Sequence, residues 1–267
     1  MSKINQNRKY KQAALISLRL LSVAFLLFVL LYSFYYMRHS PAGAAYFRLE
    51  QLHYEGLQNV DREALDRLVR SILPENLLWA DLDRLRALVE SESWVKSATI
   101  RRRLPDQIFI HIEERTPAAV AAIDNELYVV DAEGVLLDRY GSGYEQLDGP
   151  IVRGLRNTAR ENAQQENAVR MEIYLRVLED FKTPSRDFSQ AISEVVVHDP
   201  EQVAVVPDDE AVPVYLGHDH FVRRFQAFLS QKDLYDQLKE RYGMIESVDV
   251  SFENKIIFHK GDKTLNF

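Results

Sequence analysis

The most extended hydrophobic stretch of the chain runs from Leu20 to Met37 without a charged side chain. Sixteen of these 18 residues are apolar or aromatic. A helix of this length rises about 27 Å, close to the roughly 30 Å hydrocarbon thickness of a bilayer. The pattern therefore predicts a transmembrane helix over 20–37, preceded by a tail over 1–19.

The charges around this stretch predict its orientation. Five Lys and Arg side chains precede it, and no acid occurs before Glu50. Positive flanks stay in the cytoplasm, so we expect a basic cytoplasmic tail, a linker over 38–45 and the rest of the chain outside the cytoplasmic (inner) membrane, as in a single-pass type II protein. A cleaved signal peptide, with a site at Ala42-Gly43-Ala44, and a buried core helix are the alternatives. Signal cores usually run about 7–15 residues, which favours a retained anchor.

After the linker, short segments follow in which the hydrophobic residues recur with the period of a helix or of a strand. Two predicted helices, each with one apolar face, begin after Asp61 and around Asp81, whose side chains can cap them. The alternation of Ile108, Ile110 and Ile112 with polar neighbours predicts a strand. Strands are predicted over Phe47–Tyr54, Trp94–Arg102 and Gln107–Glu114. Together these segments predict a β-α-α-β-β domain over 46–115.

A break at Thr116-Pro117 opens a second region, over 118–267, which mixes strands with two long helices. The helices are predicted over Thr158–Phe181 and Asp219–Tyr242. The first has an apolar stripe, with Arg170 and Arg176 off it. That stripe comprises Val169, Ile173, Val177 and Phe181. Strands are predicted over 127–130, 135–137, 192–198, 202–206, 212–216, 247–252 and 255–259. The predicted fold class is α+β: a membrane helix, a small β-α-α-β-β domain and a mixed α/β domain.

Composition excludes several kinds of function. Residues 39–267 hold 27 Lys and Arg against 40 Asp and Glu, a formal charge of −13. Such an acidic surface disfavours nucleic acid as a partner. The chain has no cysteine, so disulfides, thiolate metal sites and cysteine catalysis are excluded.

Candidate chemistry is sparse. His218-Asp219-His220 lacks a third local ligand and lies at a predicted helix start, where Asp219 can cap the helix. Ser142 lacks the strand–turn–helix setting of a nucleophile elbow. We therefore expect no enzymatic activity, small-molecule substrate, cofactor or metal. Arg101-Arg102-Arg103 is a basic triplet, read either as a solvated strand end or as a contact with a partner or lipid headgroups.

Several sequence motifs point to one protein family. The first unit contains "FRLEQLHYEG", "NVDREAL" and "LWADLDRLRALVESESWVKSATIRRRLPDQIFIHIEERTPAAV". The second contains "YVVDAEGVLLDR", "VYLGHDH" and "IESVDVSF". The β-α-α-β-β unit resembles a POTRA domain, and the motifs together resemble those of the FtsQ/DivIB family of bacterial cell-division proteins.

This resemblance implies a scaffold without catalytic activity at the division septum, which recruits the bitopic partners FtsB and FtsL. It also implies that a partner segment adds a strand at a C-terminal sheet edge, with Phe252 as the aromatic contact. Ser251 and His218 stand where relatives carry basic residues. The implied partner-binding residues are Ser247, Val248, Asp249, Val250, Ser251, Phe252, Ile256, Phe258 and His218. Arg101, Arg102 and Arg103 form an expected second contact.

The hairpin of 247–252 and 255–259 is expected to offer the free side of one strand to the partner. Phe252 could instead only close the core. Two other functions stay open: a POTRA-bearing accessory protein of membrane assembly or secretion, and a membrane-tethered hydrolase. A hydrolase would have to use the loops at Tyr140–Pro150 and Asp199–Asp209.

Overall fold

The computed structural model describes residues 2–40, 45–157, 162–182, 187–253, 255–260 and 263–266. The chain divides into two compact units, Met1–Glu114 and Arg115–Phe267. Helix α1 spans Ser2–His39. Its apolar part, Leu15–Tyr36, has a mean hydropathy of 2.4 and is fully exposed, so by length and composition it fits a single-pass membrane protein.

The first unit has the predicted order β-α-α-β-β. Its elements are β1 (Gln51–Glu55), α2 (Arg62–Ile72), α3 (Leu82–Val89), β2 (Val95–Arg103) and β3 (Gln107–Glu114). The sheet order is β1-β3-β2, with β1 parallel and β2 antiparallel to β3. Ile108, Ile110 and Ile112 point inward, and the two helices cover them with Leu65 and Leu85. Asp61 and Asp81 cap these helices as predicted.

Strand β1 begins at Gln51 and not at Phe47, where the pattern placed its start. The backbone before it is already used: the Phe47 carbonyl accepts a bond from the Leu77 N–H at 2.8 Å, and Arg48 forms a bridge with Asn76. These residues therefore pair with the segment between the two helices.

Hydrogen bonds and ion pairs hold the chain in place on both sides of the junction between the units. Glu114 accepts bonds from the backbone N–H groups of Gln58 (2.7 Å), Asn59 (2.9 Å) and Val60 (3.1 Å). Arg115, the first residue of the second unit, pairs with Asp131 at 2.6 Å and Glu133 at 2.8 Å. Glu114 therefore bonds within the first unit, and Arg115 forms its ion pairs within the second unit.

The second unit is built on one mixed sheet. Its described strands are β4 (Pro117–Ile123), β5 (Glu126–Asp131), β6 (Leu136–Arg139), β7 (Ile151–Arg153), β8 (Ile192–Asp199), β9 (Gln202–Pro207), β10 (Val214–Gly217), β11 (Ser247–Asp249), β12 (Ile257–Lys260) and β13 (Lys263–Asn266). Their order in the sheet is β13-β12-β11-β10-β9-β8-β7-β4-β5-β6. The neighbours β4–β7, β7–β8 and β10–β11 are parallel.

The described part of this unit also contains the α-helices α4 (Ala163–Phe181), α5 (Phe221–Ser230) and α6 (Lys232–Tyr242). They share one buried core with the sheet, in which the rings of Phe181 and Phe225 stack with centroids 5.3 Å apart. The helix predicted over Asp219–Tyr242 is wrong as one element, because Gln231 leaves the helical region (φ −109°, ψ 17°). The start predicted at Thr158 lies outside the described residues.

The predicted stripe of α4 is wrong at its first position. Val169 is 48% exposed, whereas Arg170 is only 5% exposed. Arg170 stays inside because its Nε donates to the Val197 carbonyl at 3.1 Å and its Nη1 to Glu166 at the same distance. Because its guanidinium group is hydrogen-bonded, Arg170 occupies the buried position that the apolar pattern assigned to Val169.

Candidate functional site

Strand β11, the first part of the predicted partner-binding segment, lies inside the sheet. Its Val248 N–H donates to the Pro213 carbonyl at 3.0 Å, and the Val250 N–H donates to the Tyr215 carbonyl at 2.9 Å. On its other side, the Glu246 N–H donates to the His259 carbonyl at 2.8 Å. Both sides of β11 are therefore filled, so it offers no edge.

Strand β12 is also filled on both sides. It pairs antiparallel with β11 and, on its outer side, antiparallel with β13. The expectation that one of the two predicted strands offers a free side is therefore wrong. The reason is a strand over Lys263–Asn266 that the hydrophobic pattern did not predict. In the described part of the chain, β13 itself ends the sheet.

The side chains predicted to bind a partner fall into two groups. Val248, Val250 and Phe258 are buried in the core, and the Asp249 carboxylate is buried against the backbone N–H of Ser251 at 2.9 Å. The other group reaches the surface at least in part. It comprises Ser247, Ser251, Phe252 and Ile256. The buried group shapes the strands, and the second group is available for contact.

Phe252 is an exposed aromatic residue at this end of the sheet. Its side chain is 47% exposed, and the Lys255 ammonium lies 4.3 Å from the ring centroid. The ring borders an open groove of about 330 Å³, which Leu234 and Ile256 line with apolar atoms and Gln231 with an amide. The corner between α5 and α6 forms the other wall. Such a groove can receive an apolar side chain of an extended segment.

His218 follows a residue that lies close to this site. A Cβ atom on Gly217 would stand 3.2 Å from the Cβ of Ser251, so the backbone immediately before His218 passes close to Ser251. Asp219 does not cap helix α5. The cap residue is His220, at φ 50° and without a capping side-chain bond, because Asp219 pairs with Arg224 at 2.8 Å.

The arginine triplet divides between the two sides of its strand. Arg101 and Arg103 lie in register with Phe109 and Gln107 on the solvent face of the sheet. Arg103 stands 5.5 Å from the ring centroid of Phe109, onto which His53 stacks at 4.7 Å. Arg102 instead donates to the Ala80 carbonyl. Two guanidinium groups of the triplet are therefore available on one surface.

The structure gives the hydrolase alternative little support. A cavity of about 530 Å³ lies at the carboxyl ends of β4, β7 and β8, a common ligand position in α/β folds. Three arginines line this cavity, and carboxylates already pair with each of them. Arg153 pairs with Glu194 at 2.5 Å, and Arg156 and Arg170 share Glu166 at 2.7 and 3.1 Å.

The remaining chemistry is equally sparse. Most of the predicted loop Asp199–Asp209 is strand β9. Among the described residues, no group of three His, Asp or Glu side chains is placed to hold a metal ion. Asp131 acts as a turn residue, since its carboxylate accepts bonds from the Glu133 and Val135 N–H groups.

The fold defines a POTRA-bearing protein with one N-terminal apolar helix and a second, mixed α/β domain. Comparison with known families agrees. The family described as "POTRA domain, FtsQ-type" matches residues 47–115, and the one described as "Cell division protein FtsQ/DivIB, C-terminal" matches residues 119–251. The chain belongs to the FtsQ/DivIB family of cell-division proteins.

Individual relatives support this assignment. Cell division protein FtsQ of Koribacter versatilis is 29% identical over 218 residues, which cover 80% of this chain and 61% of that protein. The FtsQ of Syntrophotalea carbinolica is 27% identical over 212 residues, covering 79% and 73%. The FtsQ of Myxococcus fulvus is 32% identical over 149 residues, covering 56% and 52%. This chain therefore spans between about half and three quarters of these relatives' length.

Proposed function

We propose that this chain is a non-catalytic, membrane-anchored scaffold of the bacterial division machinery. In this proposal α1 is retained in the cytoplasmic membrane, both folded units lie in the periplasm, and the protein holds bitopic partners of the FtsB and FtsL type at the septum. The basic flank before Leu20 and the absence of acids before Glu50 support this orientation.

The observation that carries the proposal is the end of the large sheet, where an exposed aromatic ring stands beside a groove and a short outer strand. Partners of extended conformation bind sheet edges through main-chain hydrogen bonds, and side-chain pockets give the selectivity. Phe252 and its groove supply the pocket, and the β12–β13 hairpin supplies the main-chain groups.

Arg101 and Arg103 form a proposed second contact. They project from a sheet whose other face is covered by helices, and in the described part of the chain no ion pair to a carboxylate engages them. Their charge suits an acidic segment of another division protein. Arg102 is a supporting residue in this proposal, since it bonds to Ala80.

Depletion of the protein in its host, followed by microscopy, tests the function. The scaffold proposal expects filaments that form septa again when the wild-type chain is restored. A chain that carries Phe252→Asp should localise to the membrane but restore septa poorly, and Val169→Asp, at an exposed site on α4, should restore them fully. Normal division after depletion would reject the proposal, and an envelope-assembly defect without filaments would favour the accessory-protein alternative.

A further inference from the structure

We propose that β13 is a removable cover of the partner-binding edge. In the free protein it occupies the outer side of β12, and the partner strand binds β12 after displacing it. This inference rests on the proposed function and adds a step to it: the edge has to be uncovered before the partner can pair.

The cover is local in the chain. The register pairs Lys260 with Lys263 and Ile257 with Asn266, which leaves Gly261 and Asp262 as the two residues between the strands. Strands joined by a short connection pair with a small loss of chain entropy. The segment can thus pair with β12 without help from another molecule.

The cover uses the backbone groups that a partner would need. The His259 carbonyl faces β11, because it accepts the Glu246 N–H at 2.8 Å. Backbone groups alternate in direction along a strand, so those of Phe258 and Lys260 face β13. These two residues are in register with Leu265 and Lys263. A partner strand on β12 would take the same bonds and therefore competes directly with β13.

Displacement of β13 leaves the rest of the site folded. It is four residues long and has a sheet neighbour on one side only within the described chain. Strand β12 is held separately, since it pairs with β11 and the Phe258 side chain is fully buried. The partner can therefore displace β13 without unfolding the core.

The cover also selects the partner. A segment on a short tether competes at an effective concentration in the millimolar range or above, so edge pairing alone does not displace it. A successful partner needs a second contact, and the groove beside Phe252 provides one. Lys255 and Lys260 outnumber Glu253, the acidic residue that lines the groove. The partner that fits is an acidic extended segment with an apolar anchor side chain.

Two positions of β13 make a matched pair for the test. The Leu265 N–H faces β12, since Leu265 is in register with Phe258, whereas the Thr264 N–H faces away. Leu265→Pro removes the bonding N–H, but Thr264→Pro places proline where an edge strand tolerates it. A third variant lacks residues 261–267.

The experiment uses the full chain in nanodiscs and the extracytoplasmic segment of the FtsB-type protein of the same organism. Hydrogen exchange of the Phe258 and Lys260 amides should be slow in the intact chain and in Thr264→Pro, and at least tenfold faster in Leu265→Pro and the truncated chain. Affinity for the FtsB-type segment should rise about tenfold in the same two variants.

Fast exchange of these amides in the intact chain would show that β13 does not cover β12. Unchanged or weaker binding by the truncated chain would show that the partner pairs outside β13 or elsewhere, and either result overturns the proposal. If no chain binds the FtsB-type segment, the proposed function fails, whereas the exchange data still decide whether the edge is covered.

Discussion

The exposed fraction of the Phe252 side chain distinguishes a surface position from a core position. A ring that closed the core would be buried like Phe258, which is fully enclosed, but Phe252 is 47% exposed under the Lys255 ammonium. This exposure argues against the alternative that Phe252 only closes the core, and it leaves the ring accessible to the proposed partner.

We expect Phe252→Ala to weaken binding of the FtsB-type partner by more than tenfold, because truncation of interface aromatics costs about 2 kcal/mol or more. Unfolding stability should fall by less than about 1 kcal/mol, since the ring is half exposed. Phe258→Ala is the core control and should lose about 3–5 kcal/mol. Urea unfolding and titration of the two variants separate these effects. A large stability loss with unchanged affinity of the folded fraction would place Phe252 in the core.

Glu114 predicts a dependence of stability on pH. Burial raises the pKa of its carboxyl, but the N–H groups of Gln58, Val60 and Asn59 outweigh burial and hold the pKa below its ordinary value. A lowered folded-state pKa stabilises the fold above the unfolded value, about 4.3. That contribution is lost as the pH falls through the folded-state pKa.

Glu114→Gln should therefore destabilise the first unit at pH 7 by about 1 kcal/mol, a value discounted for partial exposure. The difference from wild type should shrink as both are titrated from pH 5 to strongly acidic pH. Denaturant unfolding across this range measures it. Glu113→Gln is the control, because that carboxylate accepts one side-chain bond, from Ser97. An equal loss at every pH would contradict the assignment.

At the scale of elements, the sequence predicted those strands and helices that a local pattern of apolar and polar residues defines. Strand β3 was predicted to the residue, since one of its faces is buried and the other solvated. Strand β4 was missed because "PAAVAAI" is buried along most of its length and has no alternation. The three-residue β7 lies between two parallel neighbours, where alternation is also absent.

The interior of α4 shows why part of the second unit was beyond prediction. Asn167 is fully buried and bonds through its amide to both the N–H and the carbonyl of Arg156, each at 2.8 Å. It also packs so closely on Gly134 that a Cβ there would lie 2.7 Å from its own. These partners are 11 and 33 residues away, and no local pattern contains them.

Residues 46–115 remain a prediction as an independently folding domain. They contain the whole three-stranded sheet, its two helices and the Glu114 bonds, so we expect the isolated segment to unfold cooperatively in urea. The shorter segment 46–110 lacks Ile112 and Glu114 and should show no cooperative transition. Circular dichroism of both segments provides the measurement. Non-cooperative melting of 46–115 would mean that it needs the second unit.

At the scale of the whole molecule, family and fold class followed from the sequence, but the strand that ends the described part of the large sheet did not. An edge is made of main-chain groups, which every residue carries, so no residue type marks it. Strand β13 has four residues and only one of them, Leu265, is apolar, which is too few for the hydrophobic pattern to predict a strand.

The anchor gives a prediction for the whole chain. We expect α1 to be retained, because its apolar part is 22 residues long. Intact mass spectrometry of protein extracted from membranes should give the uncleaved chain. A mature N-terminus at Ala45 would contradict a retained anchor. Ala42→Leu provides the control, since a blocked cleavage site should leave the mass unaltered apart from the substitution.

The parallel pairing of β1 and β3 has a mechanical consequence for an anchored protein. A pull between the membrane and the second unit acts on the Gln51 end of β1 and on the Glu114 end of β3, which are opposite ends of adjacent parallel strands. Such a load shears the β1–β3 pair, so the hydrogen bonds between the two strands resist together.

Handles at residues 46 and 106 would instead peel the strands apart bond by bond. In single-molecule pulling, we expect a lower rupture force there than with handles at 46 and 115, and equal forces would exclude this load path. In the proposed membrane-anchored scaffold, the first unit would act as a tether that stays folded under load.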